Sequence, residues 1–391
     1  MDVIGRLLRW LGTALLWVTI VACLAVTVVP RFLDRIYYRG AATAHFDGER
    51  FFNPDGEDTA RAPAGGSRGG FLARFLTGAD GRPTWPERVD IQRARPPARV
   101  EGDRMLVTWI GHATLLIQTQ GMNILTDPQF SRSAGPFGIG PTRVAPPGIG
   151  FNALPKIDLI VVSHNHYDHL DLRSLKRLWE RDRPRIVTSL GNDSVIAQAG
   201  VEATALDWGG RAAVRPGVEV VVSRNHHWSS RWFTDRNRAL WSSFVIRMPG
   251  GNVFFAGDTG LGDGRWADEA AAMGPIRFAA IPIGAFRFEE GQMGTGSHIG
   301  PIDALAVHRR LRASTSLGVH WGTFRLSYEA RDTPPRLLAA AARCTGQTGF
   351  ATVEIAGQID VPPYRAPQAT GAIDRESLLD CLDTPQVHAL R

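Results

Sequence analysis

The run Ser163-His164-Asn165-His166-Tyr167-Asp168-His169 constrains this chain more than any other stretch. It places three imidazoles and a carboxylate within six residues, directly after the apolar run Ile157-Asp158-Leu159-Ile160-Val161-Val162. A short β-branched run that stops at a polar cluster reads as a buried strand delivering a loop. Imidazole and carboxylate together suit zinc or a similar borderline metal. A hydrogen-bonded polar loop is the plain alternative, and it leaves this density of ligand-type side chains unexplained. His164 and His166 are two apart, so in extended backbone they project the same way and can grip one ion. Asp168 and His169 come after the chain turns and can reach a second. Two-metal sites clamp both the attacking and the leaving oxygen of a displacement.

Later parts of the chain repeat the arrangement. His226 and His227 follow a strand-like run at 218–223. Asp258 follows 252–257, which leads into Gly257-Asp258-Thr259-Gly260. His320 follows 316–319 and precedes Trp321-Gly322-Thr323-Phe324. Any one of these alone is more often a turn or a cap. Four strand ends that each offer a ligand form a set, which one edge of a sheet would collect.

The chain resembles the metallo-β-lactamase superfamily, whose signature is His-x-His-x-Asp-His followed by later His, Asp and His ligands. More narrowly, it resembles the branch of phospholipases D that hydrolyse N-acylphosphatidylethanolamine. The narrower likeness rests on Thr108-Trp109-Ile110-Gly111-His112-Ala113-Thr114, Leu125-Thr126-Asp127-Pro128, the stretch 163–170 and His227-Trp228. It continues through 254–260, Ile281-Pro282-Ile283-Gly284-Ala285, 320–324 and, near the start, Phe52-Asn53-Pro54. The likeness runs from about residue 51 to about residue 355. It implies an α/β fold, the four-layer αββα sandwich; the uncharged run at 10–29 adds the expectation of one N-terminal transmembrane helix before it.

Carried over residue by residue, the resemblance implies two zinc ions, with iron or manganese as other candidates for the same ligands. His164, His166 and His227 would bind one ion, Asp168, His169 and His320 the other, and Asp258 both. His227 is preferred to His226 because it directly precedes a tryptophan. His226 is expected outside the ligand set. Asp127 would accept an N–H from a ligand histidine, as metal-bound imidazoles require. His112 either lines the same cavity or belongs to a plain turn. His298, with Asp168, is a candidate catalytic residue; its alternative is to cap the helix that begins near residue 302. Around His298 the chain departs from the family, with Gly300 where a polar or acidic residue is usual.

The implied activity is that of a membrane-anchored di-zinc phosphodiesterase of phospholipase D type. A hydroxide activated between the cations would attack phosphorus, and no covalent protein intermediate is required. Another hydrolase of the superfamily, such as a lactonase, nuclease or β-lactamase, is the second reading. A non-enzymatic metal-stabilised membrane protein is the third. Trp228, Trp232, Phe233 and Trp241 either line an acyl pocket or fill the core.

The ends of the chain bear on the partner. Residues 10–29 carry no charge, a length that spans a bilayer as a helix. Arg6 and Arg9 precede it, Arg31, Arg35 and Arg39 follow, and Trp10, Tyr37 and Tyr38 fit interfacial anchors. A cleaved signal peptide, a buried core helix and a lipoprotein box at Ile20-Val21-Ala22-Cys23 are the alternatives. The expectation is an uncleaved single-span anchor in a bacterial inner membrane, with the side open. Residues 1–39 form the anchor, 40–99 a Gly/Pro/Arg-rich linker with partial order, 100–361 the hydrolase domain and 362–391 a surface tail. Within the linker, Phe71-Leu72-Ala73-Arg74-Phe75-Leu76 is an apolar patch that either meets the bilayer or packs on the body. Cys344 and Cys381 either pair or remain thiols.

The net charge of +6 and a sequence pI near 9.7 suit anionic lipid headgroups. No basic run interleaved with aromatics points to nucleic acid. Strands are expected near 106–109, 114–119, 122–126, 159–162, 218–222, 241–247, 253–256, 279–282 and 317–319. Helices are expected near 172–181, 302–311 and 335–342. Mixed strands and helices in one body imply a layered fold.

Overall fold

The computed structural model describes residues 2–28, 35–56, 82–232, 234–288, 295–367 and 374–390. The apolar patch at 71–76 and Phe233 lie outside the described residues. Helix α1 covers Asp2–Thr27. The body then runs β1 (Met105–Gly111), β2 (Thr114–Thr119), β3 (Met122–Thr126), β4 (Leu159–Val162), α2 (Leu172–Asp182), β5 (Arg185–Ser189), α3 (Asn192–Ala197) and β6 (Thr204–Leu206). It continues β7 (Arg211–Arg215), β8 (Val218–Ser223), β9 (Ser243–Arg247), β10 (Asn252–Phe255), α4 (Arg265–Ala272), β11 (Ile276–Pro282), α5 (Pro301–Leu311) and β12 (Thr315–Val319). Last come α6 (Thr333–Thr345), β13 (Phe350–Ala351), β14 (Gln358–Val361), α7 (Arg375–Leu382) and α8 (Pro385–His388).

The parity of β4 explains the layers. Leu159 and Val161 join one core cluster, while Ile160 and Val162 join another. Successive strand residues point to opposite faces, so a strand apolar at every position must be covered on both. The same split separates Leu115 and Ile117 from Leu116 in β2, and Val187 from Ile186 in β5. One face meets Leu175 and Leu178 of α2 and Val195 and Ile196 of α3. The other shares a core with Val220, Phe244 and Val253 of the second sheet. Among the described residues each sheet has seven strands, in the orders β14-β1-β2-β3-β4-β5-β6 and β13-β12-β11-β10-β9-β8-β7. The second sheet shares its core with Trp266 of α4, Ala304 and Leu305 of α5 and Leu337 and Leu338 of α6. The result is an αββα sandwich.

The pairing directions gather the loops. β3 and β4 are parallel, and β1 lies antiparallel to β2, which lies antiparallel to β3. β10, β11 and β12 are parallel, and β8 reaches the same direction through antiparallel β9. The carboxyl ends of β1, β3 and β4 therefore share one edge of the first sheet. Those of β8, β10 and β12 share one edge of the second. The two edges touch directly: the Ser242 N–H donates to Ser163 O at 3.0 Å, and the His320 N–H to His112 O at 3.0 Å. At Gly257, with φ of +61°, a β-carbon would stand 2.6 Å from Ser163 Cβ. Glycine alone permits that approach.

The strands and helices expected from patterning are present, several with longer ends. The shorter elements β5, β6, β7, β13, β14, α3 and α4 were not foreseen. The C-terminal segment is more than a loose cover. α7 and α8 form there, bury Leu378, Leu382 and Leu390, and are joined to α6 by a Cys344–Cys381 disulfide. Phe46 and Phe51, from the expected linker, are buried with Trp241. Trp241 is thus a core residue, and its Nε1 donates to Asn53 Oδ1 at 3.1 Å. α1 is long and apolar enough over Val3–Ala25 to cross a membrane, by length and composition, and none of that stretch is buried.

His308 on α5 is buried beside Ser316 Oγ at 2.6 Å, and burial lowers its pKa from 6.5 to about 4. Between those values the unfolded chain holds a proton that the folded chain refuses, so stability falls as pH drops from 6.5 towards 4. Urea unfolding at pH 7 and pH 5 should show a smaller acid loss in His308→Gln than in the wild type. Equal losses would contradict this assignment.

Candidate metal centre

Six strand ends deliver the cluster. β1 leads to His112, β3 to Asp127, β4 to the 163–169 loop, β8 to His227, β10 to Asp258 and β12 to His320. Three of these residues sit in left-handed backbone: His112 at φ 55°, Asp127 at φ 32° and His320 at φ 67°. Such backbone is unfavourable for residues with a β-carbon and gathers at functional sites. Here each reversal occurs at the first residues past a strand, where the chain turns its side chain inward.

Among the described residues four overlapping groups of donors form. The two of four members are His164, His166, His227 and Asp258, and His112, Asp168, His169 and His320; Asp127, His164 and His169, and Asp258, His298 and His320, make two smaller ones. Within each group the potential donor atoms all lie within 4.8 Å of one another. In the first, His164 Nε2 stands 2.8 Å and His227 Nε2 3.4 Å from His166 Nδ1. In the second, His169 Nε2 and His320 Nε2 are 3.3 Å apart. Asp258 joins the groups. Its Oδ2 lies 3.0 Å from His169 Nε2 and 3.9 Å from His227 Nε2, and its Oδ1 lies 3.0 Å from His320 Nε2.

The outward nitrogens are held by the protein. His169 Nδ1 meets Asp127 Oδ2 at 2.6 Å, and that carboxylate also accepts from the Ser163 hydroxyl at 2.6 Å and the Ser163 N–H at 2.7 Å. His227 Nδ1 donates to Ser297 O at 2.8 Å. Ser163 Oγ lies 2.9 Å from His164 Nδ1. Anchoring one ring nitrogen fixes the ring plane and aims the other inward.

The electrostatics match the donor set. Burial is the largest influence on every group. It pushes His164 and His227 well below the usual range and takes His166 to about 3. Burial works against ionised Asp168 and Asp258, yet the surrounding imidazoles hold both well below the usual carboxylate range. Burial also works against charge on His169 and His320. The Asp258 and Asp168 carboxylates nevertheless carry His169 well above its ordinary value and His320 to about 9. Neutral imidazoles beside two buried carboxylates favour positive charge at the centre. Among the described residues His166 Nε2 has no hydrogen-bond partner. Converging nitrogen and carboxylate donors of this kind fit a pair of borderline divalent metals.

The structure brings together His164, His166, Asp168, His169, His227, Asp258 and His320. Asp127 stands behind His169. His112 proves to be part of the cluster and not a bare turn: its Nε2 lies 2.9 Å from Asp168 Oδ2, and its ring centroid 3.9 Å from that of His320. His298 joins Asp258 and His320 at the edge of the cluster, with Nδ1 3.9 Å from Asp258 Oδ2 and no hydrogen-bond partner for that nitrogen among the described residues. It does not cap α5, whose N-cap is Gly300. His226 turns away to Asp55 at 2.9 Å. Trp228 packs its ring 4.2 Å from that of His166. Ser297 and Ser163 were not foreseen as positioning residues; the serine before His164 was the one available signal.

The family described as "Beta-lactamase superfamily domain" matches residues 122–321, just over half of the chain. The chain belongs to this superfamily and is a metal-dependent hydrolase of the metallo-β-lactamase fold. It is 34% identical over 268 residues to "N-acyl-phosphatidylethanolamine-hydrolyzing phospholipase D 1" of Caenorhabditis elegans, across 64% of this chain and 74% of that protein. It is 36% identical over 251 residues to an uncharacterized protein of Mycobacterium tuberculosis, across 62% of this chain and 66% of that protein, slightly under two thirds of the relative's length. Among solved structures, an isothiocyanate hydrolase from Delia radicum gut bacteria superposes with a TM-score of 0.52 at 17% identity. That match covers 65% of this chain and 98% of the other, and it is a likeness of fold.

Asp127→Asn would keep the shape and weaken the hold on His169. Metal affinity, read by competition with a chelator, should fall about 10–100-fold. An unchanged affinity would contradict the positioning role of Asp127.

Proposed function

We propose that the protein is a phosphodiesterase of phospholipase D type that acts on N-acylphosphatidylethanolamine-like lipids at a membrane. The observation that carries this reading is the pair of donor groups joined by Asp258, in a chain 34% identical to the nematode lipase over most of that enzyme's length. In this reading His164, His166 and His227 hold one ion, Asp168, His169 and His320 the other, and Asp258 contacts both. Zinc is the ion proposed, given the imidazole-rich set.

Two divalent cations, once bound, would supply Lewis-acid polarisation of the phosphate and a water of lowered pKa. The residues do the rest. Asp127, Ser163 and the Ser297 carbonyl hold the ligand rings so that no reorganisation is needed as charge develops. His112 holds Asp168 by its Oδ2. His298 has a free Nδ1 at the rim of the cluster, where it can contact the substrate or pass a proton to the departing alkoxide. Trp228 covers His166 and excludes water from that side.

The helix at Val3–Ala25 supports a single-span anchor, proposed for a bacterial inner membrane. The Cys344–Cys381 disulfide favours the oxidising side of that membrane. The proposed division is anchor 1–39, linker 40–99, hydrolase domain 100–361 and tail 362–391, with Phe46 and Phe51 of the linker and the helices of the tail packed onto the hydrolase body.

A second reading keeps the hydrolase and changes the substrate to a lactone, a nucleic acid or a β-lactam. The fold and the donor groups serve it at least as well, because nothing in the cluster itself selects phosphorus over carbonyl carbon.

The test is metal analysis and a substrate panel on the full chain, wild type against Asp258→Asn. The proposal expects about two divalent ions per chain. It also expects phosphatidic acid and an N-acylethanolamine as products, and loss of nearly all turnover in the variant. Free fatty acid as product, or activity confined to lactones, would move the assignment to the second reading. Equal activity in both proteins would refute the role of Asp258.

A further inference from the structure

Outside α1, the two most exposed large apolar side chains among the described residues are Phe137, 90% exposed, and Ile139, 74% exposed. Both stand on one loop. Its base is fixed by a bridge between Ser133 and Thr142 and by the Ala134 N–H donating to Pro141 O at 2.9 Å. Its tip is tightened by the Ser133 hydroxyl donating to Gly138 O at 2.7 Å. Phe137 itself has φ of 54°, which a β-carbon disfavours. A braced loop that presents a phenylalanine and an isoleucine to solvent has a partner to meet.

The surroundings identify the partner. Phe137 borders a cavity of about 610 Å³ that Arg132, Arg173, Arg231, Tyr167 and Leu170 also line. Arg132 and Arg173 are exposed, and their side chains make no hydrogen bond or ion pair with any described residue. Tyr167 and Leu170 flank the metal-ligand candidates in sequence, so this cavity lies against the outer side of the histidine loop, with Asp171 also in its wall. Apolar tips beside free guanidinium groups suit a surface whose interior is hydrocarbon and whose face carries phosphate.

The chain also ties this face to its own anchor. Nine residues lie between Thr27, the end of α1, and Tyr37, a reach of at most about 35 Å. Tyr37 is buried in the body, and its hydroxyl donates to Asp235 Oδ2 at 2.8 Å. Asp235 Oδ1 accepts from the Arg231 N–H at 3.0 Å and from the Ser230 hydroxyl at 2.7 Å. Arg231 in turn donates to Asn165 O at 2.9 Å and Leu170 O at 2.8 Å, with its guanidinium 3.9 Å over the Tyr167 ring. A hydrogen-bonded path thus runs from Tyr37 to the wall of the cavity.

We infer that the 131–142 loop is a membrane-docking wedge: Phe137 and Ile139 enter the acyl boundary of the bilayer that holds α1, Arg132 and Arg173 bind anionic headgroups, and the mouth of the metal centre faces that bilayer. The inference rests on the anchor proposed above and on no assumption about the substrate.

The experiment uses the full chain with Cys23→Ser, the cysteine outside the disulfide. A nitroxide is attached at Ile139→Cys or, separately, at Val18→Cys within α1. Each protein is placed in lipid nanodiscs of phosphatidylcholine, with and without phosphatidylglycerol. Accessibility to oxygen and to a nickel chelate is compared with that in detergent. The expected result is a several-fold rise in the oxygen-to-nickel ratio at 139. The rise should be larger with phosphatidylglycerol, and Arg132→Glu with Arg173→Glu should reduce it. A label at 139 that stays as open to nickel in nanodiscs as in detergent overturns the wedge. A lipid-buried label at 18 in the same preparation would then leave the anchor standing. Because no turnover is measured, failure here is separate from failure of the lipase reading.

Discussion

The centre depends on one buried carboxylate. Asp258 approaches His169, His320, His227 and His298 at 3.0 to 3.9 Å, and it draws from both sheets of the sandwich. A carboxylate this deep is costly unless it is paired. Histidines gathered on it are, in turn, costly unless something holds their nitrogens apart. Paired cations resolve both demands, and their binding would be coupled to the way the two sheets meet. The Gly257–Ser163 approach sits one residue from Asp258 and one from His164, so the same packing contact sets the spacing of the two donor groups.

Much of this was legible in the sequence, for a physical reason. Ligands that follow short apolar strands appear as local motifs, and each of the seven expected ligands lies at such a junction. Asp127 was legible in the same way. His112 was ambiguous because a Gly-His-Ala turn has no local sign of its partner; only the meeting of β1 with β12 places it against His320 and Asp168. Ser297 acts through its backbone carbonyl, which leaves no trace in side-chain identity. His298 was open between capping and the cavity, and the extended Gly300 took the capping position.

The fold shows the same division. β4 and β8 read plainly as strands because they are apolar and continuous. β7, with the sequence RAAVR, is short, carries charge at both ends and has Val214 as its one strong strand former, so its pairing with β8 is decided by tertiary context. α4, with the sequence RWADEAAA, offers one large apolar residue, Trp266, whose burial against Phe254 is invisible before the sheet exists. The tail's helices gain their apolar partner from α6, far away in sequence.

The sandwich itself is indifferent to substrate. The features that bear on substrate lie around the histidine loop: the arginine-lined cavity at Arg132, Arg173 and Arg231, the exposed loop at Phe137, and the strap from Tyr37 to Asp235. The central claim, that two donor groups sharing Asp258 form one two-metal centre, is tested most directly by X-ray absorption on the zinc-loaded full chain. The account predicts saturation at two ions per chain, nitrogen and oxygen ligands without sulfur, and metal–metal scattering at about 3.5–4 Å. Saturation by a single ion with no metal–metal scattering would contradict it.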